Sequence, residues 1–222
     1  MCGIVGYIGA REALPVLIEG LKRLEYRGYD SAGVAIVNSG GLKIVKAKGR
    51  ISDLAARLTD DPLSGSLGIS HTRWATHGEP SERNAHPHLD CNGRIAVVHN
   101  GIIENYVTLK RRLQAEGHTF RSDTDTEVLA HLVEKYYKEN LSEAVRLALR
   151  HVRGTYGFAA VARDQSNVII AARRGSPLVV GIGEGEYFLA SDVSALLPYT
   201  KKVIYPDDGE LIRISRESFS TV

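Results

Sequence analysis

The chain has 222 residues, enough for one large domain or two small ones with a sizeable core. Lys and Arg number 28 against 26 Asp and Glu, a net charge of +2 with no basic run or arginine stripe, so no nucleic-acid footprint is present. Two cysteines, Cys2 and Cys91, make no disulfide framework, and no stretch reaches the roughly 18 apolar residues of a membrane helix. The expectation is a soluble, cytoplasmic protein without a membrane partner.

The chain opens Met1-Cys2-Gly3-Ile4-Val5-Gly6. A small second residue favours removal of Met1, which would leave a thiol and a free α-amine on Cys2. With ordinary pKa values of about 8.5 and about 7.7–8.0, thiol and amine exchange a proton at a cost on the order of 1 kcal/mol. One terminal residue then supplies nucleophile and base. Cys2 also fits as an apolar residue at the start of a buried strand, since Ile4, Val5, Tyr7 and Ile8 follow.

Residues 3–8 form an apolar run of strand length. Residues 13–25 carry Leu14, Leu17, Ile18, Leu21 and Leu24 at helical spacing, and Pro15, Glu19, Lys22 and Arg23 interrupt any signal-peptide reading. Strands at 31–37 and 42–48 flank Asn38-Ser39-Gly40-Gly41, a hairpin turn. A short helix is predicted over 51–58, then strands at 66–71 and 95–99 around a loop rich in Pro and His. Helices follow at 106–116, 125–138 and 141–151, then short strands at 158–163, 168–173, 178–183, 186–190 and 212–214. Glycine, at 22 of 222 residues, exceeds the usual ~7% and suits a chain rich in strands and turns. Strands, then helices, then strands argue for one α+β domain over residues 1–222, with antiparallel sheets covered by helices.

Four polar, glycine-punctuated segments lie where loops carry function. In 26–33, Arg27 and Asp30 bracket Gly28, which a helix C-cap would place in a left-handed conformation. In 71–80, Arg73 stands beside Trp74, the only tryptophan: a guanidinium fork suits a carboxylate and the ring suits a cover, although a plain surface loop fits too. Asn100-Gly101 is a strong hairpin pair, yet a helix follows instead of a returning strand. An amide and a glycine N–H at a strand end can aim two donors at one oxyanion. In 122–127, Ser, Thr and Asp suit a helix N-terminus, and one carboxylate there can face an ammonium.

His71, His77, His86, His88 and His99 fall within thirty residues, with Asp90 and Cys91 nearby, so a zinc hydrolase stands as a rival reading. No H-E-x-x-H supports it.

Taken together, Cys2 to Gly6, the segments 26–33, 71–80, 84–88, 99–105 and 124–127, and the shorter 175–178 and 190–192 resemble the class II glutamine amidotransferases of the N-terminal nucleophile hydrolases. The Tyr-Arg-Gly-Tyr-Asp-Ser-Ala-Gly and His-Thr-Arg-Trp-Ala-Thr-His-Gly runs are similar to the glutaminase domains of the glutamine–fructose-6-phosphate aminotransferase branch. The resemblance covers effectively the whole chain. It implies a four-layer α-β-β-α sandwich, two antiparallel sheets between helix layers, with residues 1–222 as the glutaminase domain and the isomerase half absent from this chain.

It also implies roles. Cys2 attacks the side-chain amide of L-glutamine, its α-amine shuttling the proton. Asn100 and Gly101 stabilise the oxyanion, Arg73 clamps the α-carboxylate with Thr76 and His77, Asp125 pairs with the ammonium, and Trp74 belongs to a closing loop. Arg27 and His86 are supporting residues. No metal or organic cofactor is implied; the partner is a sugar-phosphate isomerase domain acting on fructose 6-phosphate. A module of the same fold that binds glutamine without hydrolysing it is the alternative if Met1 is retained.

Overall fold

The computed structural model describes residues 2–60 and 62–221; Met1, and with it the expected processing of the N-terminus, lies outside them. The elements in chain order are β1 (Gly3–Ile8), α1 (Ala13–Leu24), β2 (Ser31–Asn38), β3 (Gly41–Lys48), α2 (Ile51–Asp60), β4 (Leu67–Arg73), β5 (His88–Leu89) and β6 (Ile95–Ile103). Then come α3 (Tyr106–Ala115), α4 (Glu127–Tyr136), α5 (Leu141–Leu149), β7 (Gly154–Ala162), β8 (Gln165–Arg174), β9 (Val179–Ile182), β10 (Tyr187–Ala190), β11 (Val203–Ile204), β12 (Leu211–Ser215) and β13 (Phe219–Thr221).

The strands form two antiparallel sheets, ordered β11-β9-β10-β1-β4-β2-β3 and β13-β12-β8-β7-β6-β5. Because each is covered on both faces, its central strands are apolar at successive positions, not only at alternate ones. On β1, Ile4 and Ile8 enter the layer between the sheets with Ile69, Val98, Val161 and Ile214. The alternate residues Val5 and Tyr7 face the other way, onto Leu17, Leu21 and Leu24 of α1 and Leu54 of α2. Gly20 allows that close approach, since a Cβ there would stand 2.9 Å from Val5 Cγ1. The second sheet turns Val97, Phe158, Ala160 and Ile170 onto α3–α5 through Leu113, Leu129, Val133 and Val145. Helices, sheet, sheet, helices: the expected four layers are present.

Two expectations are corrected. β6 does not end before Asn100 but continues to Ile103, with Asn100 opposite Gly157 and Gly101 opposite Tyr156 of β7. The helix foreseen from residue 125 begins at Glu127, which leaves Asp125 on the preceding loop. No helix among the described residues is long and apolar enough to cross a membrane.

Candidate active site

A cavity of about 330 Å³ opens where the starts of β1 and the ends of β4 and β6 converge, within the size range of small-molecule sites. Cys2, Arg27, Arg73, Trp74, Thr76, His86, Asn100, Gly101 and Asp125 line it, together with Ile102, Thr124, Thr126, Thr155, Ser176 and Pro177. Of the residues singled out in the sequence, His77 is not among them: its ring packs against Tyr106 at 5.1 Å, and its carbonyl accepts from Arg73.

Cys2 sits immediately before β1, which pairs with β4 so that Gly3 lies opposite Thr72. That register sets the thiol beside the residue after β4: the Trp74 N–H donates to Cys2 Sγ at 3.2 Å. Burial raises the thiol pKa, and the Trp74 amide opposes part of the rise because it stabilises the thiolate. The Cys2 carbonyl accepts from Arg27 Nε at 3.2 Å and from Asn100 Nδ2 at 3.1 Å. Arg27 is in turn fixed by an ion pair to Asp192 at 3.1 Å, and Tyr26 donates its hydroxyl proton to the same carboxylate. The first residue of the site is therefore held by its backbone while its sulfur faces the cavity.

Gly28 has φ of −179°, an extended rather than left-handed conformation. Its glycine is required for another reason: a Cβ would stand 2.7 Å from the Arg73 carbonyl carbon. Asp30, two residues on, accepts from the Ala75 N–H and so pins the Trp74 loop. Trp74 itself is half exposed and meets Tyr29 edge to face at 5.6 Å.

Asn100 is oriented from behind. His71 Nε2 lies 3.0 Å from Asn100 Oδ1 and 3.1 Å from the His99 carbonyl, two acceptors, so this nitrogen carries the proton. Burial lowers the His71 pKa to about 3, so the ring is neutral near pH 7. With Oδ1 taken by His71, Nδ2 is turned toward Cys2. Gly101 adopts φ of +131°, and a Cβ there would come 2.1 Å from the Thr155 carbonyl oxygen, so only glycine fits.

His86 stacks on His71 at 4.1 Å and His88 meets His86 edge to face at 4.7 Å. The His88 Nε2 bonds Thr124 Oγ1 at 3.0 Å; His99 bonds Thr126 Oγ1 at 2.9 Å and the Thr155 carbonyl at 3.2 Å. Burial lowers the pKa of each of these rings. These histidines serve as a neutral, hydrogen-bonded support under the cavity, with their bonded ring nitrogens committed to protein partners, and not as a zinc ligand set.

Arg73 is buried at 3% exposure, and its guanidinium donates to the carbonyls of His77, Gly78 (3.0 Å) and Glu79 (3.4 Å). Asp125 is equally buried, with Oδ2 accepting from the Ile103 N–H at 2.8 Å. The cavity thus carries two fixed cations, Arg73 and the Asp192-paired Arg27, and the Asp125 carboxylate besides the thiol and the Asn100 amide. Asp30 and Asp192 are supports to which the sequence alone assigns no role, although Asp30 brackets Gly28 and Asp192 closes the 190–192 run.

Residues 71–198 match the model of the glutamine amidotransferase domain family, and the chain belongs to that family. It is 60% identical over 217 residues to a glutamine–fructose-6-phosphate aminotransferase (isomerizing) of Thermus thermophilus, covering 98% of this chain and 36% of the relative. An enzyme of the same name from Chlorobaculum tepidum is 53% identical over 227 residues, covering 99% of this chain and 37% of the relative. The chain therefore spans little more than a third of the length of these relatives. The solved glutamine phosphoribosylpyrophosphate amidotransferase of B. subtilis superposes with a TM-score of 0.87 at 28% identity, over all of this chain and 49% of the other. The four-layer sandwich is thus the amidotransferase fold of the N-terminal nucleophile hydrolases.

Proposed function

We propose that this domain hydrolyses L-glutamine to glutamate and ammonia through a γ-glutamyl thioester on Cys2. The observation that carries the reading is the convergence of a thiol, an oriented amide, a buried guanidinium and a buried carboxylate on one cavity. An amino acid with an amide side chain needs all four: a cation for its carboxylate, an anion for its ammonium, a nucleophile and an oxyanion donor.

With Met1 removed, the Cys2 α-amine takes the thiol proton and Sγ attacks the amide carbon. The carbonyl π bond becomes an oxyanion, held by Asn100 Nδ2 and the backbone N–H of Gly101. Asn100 has two N–H groups, of which the Cys2 carbonyl takes one. The protonated amine returns its proton to the departing nitrogen, the C–N bond breaks and ammonia leaves. Water then adds to the thioester, the C–S bond breaks, glutamate is released and the thiol regains its proton.

Arg73 holds the α-carboxylate, with Thr76 at the same end of the cavity. His77 contributes through the carbonyl that fixes Arg73. Asp125 uses Oδ1 for the ammonium while Oδ2 stays on Ile103. Trp74, braced edge to face by Tyr29, covers the mouth. Residues 1–222 act as a glutaminase unit, and in a longer protein resembling the relatives its ammonia serves a sugar-phosphate isomerase domain that converts fructose 6-phosphate to glucosamine 6-phosphate. The test is glutamate release by the wild type and by Cys2→Ala: the variant is expected to lose activity by at least 10³-fold, as removal of a covalent nucleophile does. Equal turnover would overturn the reading.

A further inference from the structure

Apart from the cavity, four metal-ligating side chains from separate parts of the chain meet. They are Cys91 in the turn between β5 and β6, His118 after α3, and His131 and Glu134 one turn apart on α4. One donor atom of each lies within 4.8 Å of all the others. None of the four lines the active-site cavity.

Three of the four separations suit a tetrahedral ion, and the fourth, His118 to Glu134, is a hydrogen bond that the ion would replace. Bonds of about 2.3 Å to sulfur and about 2.0–2.1 Å to nitrogen or oxygen place sulfur roughly 3.5 Å from nitrogen and nitrogen roughly 3.3 Å from oxygen. Here Cys91 Sγ is 3.7 Å from His118 Nδ1 and 3.5 Å from His131 Nδ1. Glu134 Oε2 is 2.8 Å from His118 Nδ1 and 3.3 Å from His131 Nδ1. Both histidines present the same ring nitrogen, and both face the same sulfur and the same oxygen.

The surroundings are built to hold these ligands. The Thr119 N–H donates to Cys91 Sγ at 3.4 Å, which suits a thiolate. Asn92 Nδ2 holds the second Glu134 oxygen at 2.8 Å, leaving Oε2 turned inward. His131 is 1% exposed, and its Nε2, without a hydrogen bond, faces the Glu127 carboxylate at 3.5 Å. A carboxylate behind the far nitrogen of a histidine is the arrangement that orients metal-bound imidazoles. Glu127 is itself fixed by the Arg121 and Ser122 N–H groups at 2.7 Å each.

We propose that Cys91, His118, His131 and Glu134 bind one zinc ion that ties the β5–β6 turn and the α3–α4 connection to helix α4. Four protein ligands close the coordination sphere, so the site is structural and carries no step of glutamine hydrolysis. The mixture of thiolate, imidazole and carboxylate favours zinc over magnesium or calcium.

Chelator-stripped protein titrated with Co²⁺ and then Zn²⁺ tests this. One equivalent of cobalt is expected to give a sulfur-to-metal charge-transfer band and intense four-coordinate d–d bands, both abolished by one equivalent of zinc. Cys91→Ser should remove the charge-transfer band and weaken zinc binding by at least 10–100-fold, whereas Cys2→Ala should keep both. His118→Gln, at a ligand less buried than His131, should weaken zinc by at least 10-fold even if Cys91→Ser does not fold. Absence of saturable binding at one equivalent, or binding unchanged in either cluster variant, would overturn the proposal.

Discussion

His71 Nε2 stands 3.0 Å from Oδ1 of Asn100, and this contact decides which end of the amide faces Cys2. An asparagine side chain is nearly symmetric in shape, so without a donor on Oδ1 its nitrogen and oxygen could exchange places. The buried ring is neutral, carries its proton on the nitrogen that the acceptors demand, and so keeps Nδ2 toward Cys2.

His71→Leu is expected to lower kcat for glutamine by roughly 10²–10³, the usual worth of one oxyanion donor, with KM changed far less. His71→Gln returns an amide N–H to the same place and should restore much of the loss. A KM effect as large as the kcat effect would assign His71 to substrate binding instead.

Asp125→Asn keeps an oxygen for the Ile103 N–H but removes the charge. Loss of a charged hydrogen bond of about 1.5–3 kcal/mol raises KM for glutamine by roughly 10–150-fold. The wild type should discriminate by a similar factor against glutaramate, which lacks the α-amine, and the variant should not. Steady-state kinetics on both amides checks this.

Gly101→Ala forces a side chain onto φ of +131° and against the Thr155 carbonyl. The β6–β7 pairing has to open there, so a loss of at least about 1–3 kcal/mol of stability is expected together with loss of glutaminase activity. Urea unfolding of the purified variant measures the first, glutamate release the second; an unchanged midpoint would contradict the steric argument.

Much of the frame is legible in residues 1–222 because both sheets are built from long apolar runs. The hairpin around Ser39-Gly40 and the amphipathic stripe of α1 are local signals, and both appear where they should. β5, β11 and β13, two or three residues each, are too short for any periodicity to register. The continuation of β6 through Asn100-Gly101 is a tertiary effect: β7 pairs with it to Ile103, overriding a strong turn dipeptide. Gly28 follows the same logic, its glycine explained by the neighbouring Arg73 backbone and not by a helix cap. Cys2 could be found from its place at the start of the chain, and Arg73, Asn100, Gly101 and Asp125 because each sits in a short polar or glycine-punctuated run. Cys91, His118, His131 and Glu134 lie up to 43 positions apart in unremarkable surroundings, and only the packing of α4 on β6 brings them together.

The histidine support also sets a pH limit. His71, His86, His88 and His99 are held neutral by burial, with His71 at about 3, whereas the unfolded chain takes up their protons near 6.5. Below that pH the unfolded state binds more protons than the folded one, so stability rises with pH and falls on acidification. Each ring contributes up to roughly 1.4 kcal/mol per pH unit below about 6.5 until its own folded-state value is reached. Glu127, lowered to about 2, adds a loss only beneath the ordinary carboxylate range. The urea midpoint should therefore begin to drop between pH 6.5 and 5; a flat midpoint across that interval would contradict neutral rings in the folded state.

The most direct measurement is the intact mass of the purified protein before and after incubation with diazo-oxonorleucine, an electrophile shaped like glutamine, followed by peptide mapping. The expected result is a species lacking Met1 that gains one adduct, on Cys2, with excess glutamine slowing the labelling and Cys91 left unmodified. A trimmed protein that gains no adduct, or gains it elsewhere than Cys2, would contradict a glutaminase site built on the terminal cysteine.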